Sequence, residues 1–214
     1  MRGFRKLQLF ATLLGLPLAV GAAAADEPPS APFAPQAVGP EGGPAATAEP
    51  EAPENEAARL DTLLAQLAEP GREDWERVQT EILRIWSRSG SPSMDLLLQR
   101  GGEAMEAEDY MAALDDFSAL TDHAPDFAEG WNARATVYFG MGEFSLAMAD
   151  LEHALALNPR HFGALATLGA MFEAMDDPDR ALEALRAVQR LNPNSPDINN
   201  AVDRLQHASG EAEL

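Results

Sequence analysis

Residues 128–161 read AEGWNARATVYFGMGEFSLAMADLEHALALNPRH, and the segments on either side repeat this pattern at a fixed spacing of 34. Three units stand in register: 94–127, 128–161 and 162–195. Pro125, Pro159 and Pro193 form one column, Ala113, Ala147 and Ala181 a second, and Gly101, Ala135 and Gly169 a third. Leu97, Trp131 and Leu165 are apolar throughout, as are Phe117, Leu151 and Leu185, with Ala104, Tyr138 and Phe172 a looser column. A fixed period of this length marks a stacked array, because each repeat can bury its apolar face only against its neighbours.

Each column has a physical job. Small residues at unit positions 8 and 20 let the two helices of a hairpin approach closely, and bulky ones at 4, 11 and 24 are expected to fill the space between hairpins. Within unit two, Trp131, Ala135 and Tyr138, then Ala147, Leu151, Ala154 and Leu155, follow the three-and-four spacing of helices. The proline closes the second helix, since the residue before it is pushed out of the α region. Gly142-Glu143 and their counterparts Glu108-Asp109 and Asp176-Asp177 make the turn inside each hairpin.

These columns resemble the tetratricopeptide repeat, whose motif runs W-x2-L-G-x2-Y, then A, F, A and P. Unit two carries Trp131, Tyr138, Ala147, Ala154 and Pro159; unit three carries Leu168, Gly169, Ala181 and Pro193. Arg100 and Arg134 stand where the motif has leucine, Leu120 and Val188 replace its third alanine, and Pro178 replaces an aromatic. The resemblance covers 102 residues, about half the chain, and implies an all-α superhelical solenoid of stacked antiparallel hairpins.

The chain has 214 residues, no cysteine, 35 acids against 15 bases and a formal charge of −20, which bounds it to one modest domain with tails. Nucleic acid is excluded as a partner class, because such partners call for clustered Arg and Lys. Residues 1–25 read as a secretory signal peptide: Arg2, Arg5 and Lys6 precede an apolar run from Leu7 to Val20, and Ala23-Ala24-Ala25 offers a cleavage site before Asp26. That run is 14 residues, short for a membrane span, so no stable span is expected after cleavage. No cysteine follows the site to take a lipid. The expected compartment is the periplasm, where a cysteine-free protein holds by helix packing alone.

From 26 to 55 the chain is rich in Ala, Pro, Gly and Glu and reads as a disordered acidic linker. Residues 56–92 read as a helical hairpin without the small-residue columns. Leu60, Leu63, Leu64 and Leu67 share one face, Pro70-Gly71 makes the turn, and Trp75, Val78, Ile82, Ile85 and Trp86 share the next face. It is either a diverged repeat or a cap that shields unit one. Ser93 is placed to cap the helix that follows. At the other end, Ser195-Pro196 opens a closing helix over 196–208, with Asn199, Asn200, Asp203 and Arg204 on a polar face.

Candidate chemistry is thin. His123, His153, His161 and His207 include no His-x-x-x-His pair and have no cysteines to complete a zinc site, so each is expected on a partly exposed helix end or loop. Asp115-Asp116 and Asp176-Asp177 lack a D-x-D-x-D-G loop and read as solvated helix surface and an N-cap. Gly140-Met141-Gly142 follows no strand, and no G-x-S-x-G elbow appears. The methionines, Met171 and Met175 among them, read as core filler. No cofactor, metal or catalytic centre is expected.

The tetratricopeptide resemblance implies a concave groove lined by positions 2, 5, 9, 12 and 13 of each unit. These are Asp95, Leu98, Met105 and Glu106; Glu129, Asn132, Thr136 and Phe139; Ala166, Ala170 and Glu173; and Asn200 with Arg204 from the closing helix. Family members that clamp an acidic C-terminal carboxylate use Lys, Arg and Asn there, whereas this lining offers Asn132 and Asn200 and little positive charge. Leu98, Met105 and Phe139 point to an apolar patch with acidic edges, and so to a partner peptide with apolar anchors and basic flanks, unless the three pack within the array. The expected function is that of a non-catalytic envelope scaffold for protein partners; an accessory subunit of an envelope hydrolase is the alternative.

Overall fold

A computed structural model describes residues 53–212, so the reading of 1–25 as a signal and that of 26–55 as a linker, apart from its last three residues, lie outside the described residues; 53–55 are helical. Nine helices and no strand lie among the described residues: α1 Pro53–Leu67, α2 Trp75–Trp86, α3 Pro92–Glu106, α4 Tyr110–His123, α5 Ala128–Met141, α6 Phe144–Leu157, α7 Phe162–Ala174, α8 Pro178–Leu191 and α9 Pro196–Ala212. Helices α3–α4, α5–α6 and α7–α8 are the hairpins of the three units. The first helix starts at Pro53, before the sequence boundary at 56, and α9 runs past 208 to Ala212.

The hairpin turn is set by one backbone angle repeated three times. Glu108, Gly142 and Asp176 occupy the same unit position with φ of 59°, 81° and 60°. The next residue then reaches back to the first helix: Asp109 N–H to Ala104 O and Glu143 N–H to Tyr138 O at 2.8 Å, and Asp177 N–H to Phe172 O at 2.9 Å. A left-handed residue followed by this return bond is how helices close. Asp109 and Asp177 also cap the second helix, accepting from the Ala112 and Arg180 amides at 3.1 Å. The residues before the three prolines, Ala124, Asn158 and Asn192, have φ of −133°, −137° and −141° and end their helices as expected.

Ala113, Ala147 and Ala181 are wholly buried. A Cβ on Gly101 would stand 2.3 Å from the Phe117 ring, and one on Gly169 would stand 2.8 Å from Leu185. These contacts correct the expected role of position 24. Phe117 and Leu185 fill the notch that position 8 leaves in their own hairpin rather than the space between hairpins.

The Arg100 and Arg134 departures are also resolved. Arg134 Nε and Nη2 donate to Asp150 at 2.7 and 2.8 Å, and Nη1 donates to Thr121 Oγ1 at 2.8 Å. Arg100 pairs with Asp116 at 3.1 Å. Asp116 is thus buried and paired, not solvated surface as its sequence context implied. Ser93 does not cap α3: Ser91 is the N-cap residue and Pro92 the first helical position, while the Asp95 carboxylate accepts from the Ser89 amide at 2.7 Å and its hydroxyl at 2.6 Å.

The α1–α2 hairpin buries its leucine and Trp75–Trp86 faces, but away from unit one. Leu63, Leu64, Leu67, Val78, Ile82, Ile85 and Trp86 join one cluster with Phe162 and Ala166 of α7 and with Ile198, Val202 and Leu205 of α9. The cluster of unit one, built on Ala113, Phe117, Leu120 and Val137, includes no residue of the hairpin. Shielding of unit one is therefore not what the hairpin does.

Candidate partner-binding surface

The residues assigned to the concave lining fall into two regions. In units one and two, Leu98 and Met105 are half-buried against the cluster of unit one, and Phe139 is half-buried against the cluster of unit two, its ring 6.1 Å from that of Phe144. All three keep part of their surface open while the rest packs within the array. In unit three, Ala166 and Ala170 are buried, and Ala166 belongs to the cluster that contains the α1–α2 hairpin. That part of the lining is already covered by the chain itself.

The acids of the lining are mostly engaged. Asp95 is held by Ser89. Glu129 takes the Asn132 amide at 3.2 Å and His161 Nε2 at 2.8 Å. Glu173 accepts from both Arg204 terminal nitrogens, at 2.8 and 3.2 Å, and these bonds hold the arginine above its ordinary pKa. Glu173 and Arg204 are thus brought together, and the one cation of the lining faces an acid. Glu106 and Asn200 are exposed, and Thr136 bonds its hydroxyl to the Asn132 carbonyl at 2.9 Å. Asn132 itself is 1% exposed, and its Oδ1 meets no donor among the described residues.

His161 is the functional-looking residue that sequence reasoning misplaced. It is 1% exposed, not on an open loop. Its Nδ1 accepts the Ala164 amide at 3.1 Å as the N-cap of α7, so Nε2 carries the proton and donates to Glu129. Trp86 lies stacked over the ring at a centroid distance of 4.7 Å. The histidine is buried because a segment 75 residues upstream covers it, which no local signal in the sequence announces. Beside it, a cleft of about 260 Å³ separates the hairpin residues Leu60, Ile85, Trp86 and Arg88 from Phe127, the last residue of unit one, and from Ala128, Glu129 and Leu157 of unit two.

The other candidate groups stay apart. His153 packs on Trp131 with centroids 4.0 Å apart, and His123 and His207 are exposed. Met171 is wholly buried filler and Met175 is exposed. No group of three or more metal-ligating side chains lies together, and no helix is long and apolar enough to cross a membrane, among the described residues.

Residues 138–205 match the family described as Tetratricopeptide repeat. The TPR repeat-containing protein RHE_CH03534.1 of Rhizobium etli is 36% identical over 148 residues, which span 69% of this chain and 72% of that protein. The small glutamine-rich tetratricopeptide repeat-containing protein 2 of Saccharomyces cerevisiae is 28% identical over 55% of this chain, but only 34% of that protein is covered. Among solved structures, the first TPR of Spaghetti (RPAP3) bound to the HSP90 peptide SRMEEVD superimposes with a TM-score of 0.53 at 25% identity, covering 56% of this chain and 95% of that one. Period, turn geometry and relatives agree: the chain belongs to the tetratricopeptide repeat family. Members of that family are generally non-catalytic modules for protein–protein interaction.

Proposed function

We propose that this protein is a scaffold of the bacterial envelope that holds a partner peptide or helix in the concave face of units one and two. The observation that carries the reading is the set of half-buried apolar side chains, Leu98, Met105 and Phe139, on lining positions that the α1–α2 cluster does not reach. The Spaghetti domain is bound to an acidic peptide, SRMEEVD. This chain's lining has one arginine, already paired with Glu173, and the whole chain carries −20, so the partner here has apolar anchors among basic residues. Binding weakens as salt rises. Phe139→Ala lowers affinity roughly thirtyfold, the effect of removing about 2 kcal/mol of aromatic anchor. A titration of the partner recovered from an envelope extract tests this; a correctly folded Phe139→Ala that binds as tightly as wild type overturns it.

The envelope part of the reading is supported by Arg2, Arg5 and Lys6 ahead of the apolar run from Leu7 to Val20. N-terminal sequencing of the protein from its host should begin close to Asp26, and a cytoplasmic species that retains Met1 refutes export.

A further inference from the structure

The α1–α2 hairpin is docked where a structural cap would not be. In a stacked array each unit covers the entry face of the next, and unit position 3 reports that cover. Gly130, Ala164 and Ile198 are buried at this position, whereas Leu96 of unit one is 53% exposed. The hairpin leaves Leu96 open and lies on the loops at 158–162 and 192–194, far along the chain.

Beside the apolar burial of the hairpin, polar anchors hold it there, with Arg160 Nη2 donating to Asp61 at 2.7 Å. Asn194 Nδ2 donates to the Leu67 and Glu69 carbonyls at 3.2 and 2.9 Å, while its Oδ1 accepts from the Gly71 and Arg72 amides at 2.7 and 3.2 Å. One side chain thereby satisfies four backbone groups of a tight turn, a form of recognition that does not read side-chain identity. Asn192 Nδ2 donates to Gln79 Oε1 at 3.0 Å, and Trp86 stacks on His161. The fit is imperfect. Trp86 Nε1–H is buried with no acceptor among the described residues, which opposes docking, and the open cleft runs along the seam beside it.

We propose that α1–α2 is an internal ligand. The surface around His161, Asn192 and Asn194 is a docking site for a tight turn followed by an amphipathic helix, and a partner helix of that pattern takes the site by displacing the hairpin. The hairpin records the occupant's chemistry: apolar residues spaced as Val78, Ile82 and Ile85, an aromatic in the place of Trp86 to cover the imidazole, and a turn whose backbone Asn194 can hold. This site meets the lining of units one and two at Glu129, which bonds His161, but not at Leu98, Met105 or Phe139, so it goes beyond the groove reading, and its test does not involve Phe139.

Hydrogen exchange on the intact wild-type chain is the first measurement. Amides of α2 should exchange at least about tenfold faster than the slowest amides of α5–α8, through local undocking. Equal protection makes the hairpin an integral part of the fold and overturns the proposal. The second measurement titrates a labelled synthetic peptide of residues 53–88 into full-length protein. Ile82→Ala/Trp86→Ala, which weakens the hairpin in cis, should bind the peptide at least about tenfold tighter than wild type, and adding Asn194→Ala should remove the gain. Equal binding to both chains, or binding to neither, overturns the proposal. Wild-type dimers that exchange hairpins assign the site to a second copy and overturn the partner-helix assignment. If the double variant loses its cooperative melting, the wild-type exchange result alone decides.

Discussion

Arg134 and Asp150 meet through two parallel hydrogen bonds, 2.7 and 2.8 Å long, at unit positions that hold Arg100 and Asp116 in unit one but Leu168 and Ala184 in unit three. The array thus uses two interchangeable solutions for one contact between its helices. The Asp150 hydrogen bonds hold the Arg134 guanidinium above its ordinary pKa against the opposing effect of burial.

Removing Asp150 leaves the part-buried Arg134 guanidinium with Thr121 but without its countercharge. Asp150→Ala should destabilise the protein by about 1.5 to 3 kcal/mol, the usual range for losing a hydrogen bond to a charged group. Arg134→Leu/Asp150→Ala, which installs the arrangement of unit three, should cost markedly less than the single change. Urea melts of the three proteins check this, and a double variant as unstable as Asp150→Ala disproves the exchange of solutions.

The small-residue columns make a second expectation. Ala147 is wholly buried between the helices of unit two, so Ala147→Leu should force them apart and cost about 1 to 3 kcal/mol. Glu143 is exposed in the turn and makes no side-chain cap bond, so Glu143→Ala should change the melting temperature far less. Equal melting curves would count against the packing.

A third expectation concerns acid. The side chain of Arg180, then its backbone amide, hold the Asp177 carboxyl below the usual carboxylate range. Its folded-state pKa therefore lies below the unfolded value of about 3.9, so the ionised cap adds stability above that value and loses it as pH falls through the folded one. Asp177→Asn keeps an oxygen for the cap but no charge. Its melting temperature should fall less steeply than wild type between about pH 5 and about pH 2. Parallel pH profiles would refute the role of the charge.

Much of this was legible at the level of residues. The proline columns fixed where α4, α6 and α8 end, and Glu108, Gly142 and Asp176 marked the hairpin turns, because both effects act through local backbone sterics that a sequence states directly. The Arg–Asp exchange was also within reach, since Asp116 and Asp150 stand in one column opposite the two arginines. The notch filled by Phe117 against Gly101 was not assigned, because periodicity reports which face is buried but not which neighbour fills it.

By itself, then, the sequence determined the repeat, its period, the helices and their turns, since all of these depend on short-range geometry and on contacts between units of fixed spacing. Tertiary structure alone decided where the α1–α2 hairpin lies, and with it the Trp86 cover over His161 and the joining of the hairpin to the cluster of α7 and α9. The physical reason is that an amphipathic hairpin states how much apolar surface it must bury and not against what. Asn194 lies 122 positions or more from the turn it holds and Trp86 lies 75 from His161, and only the folded chain brings these pairs together.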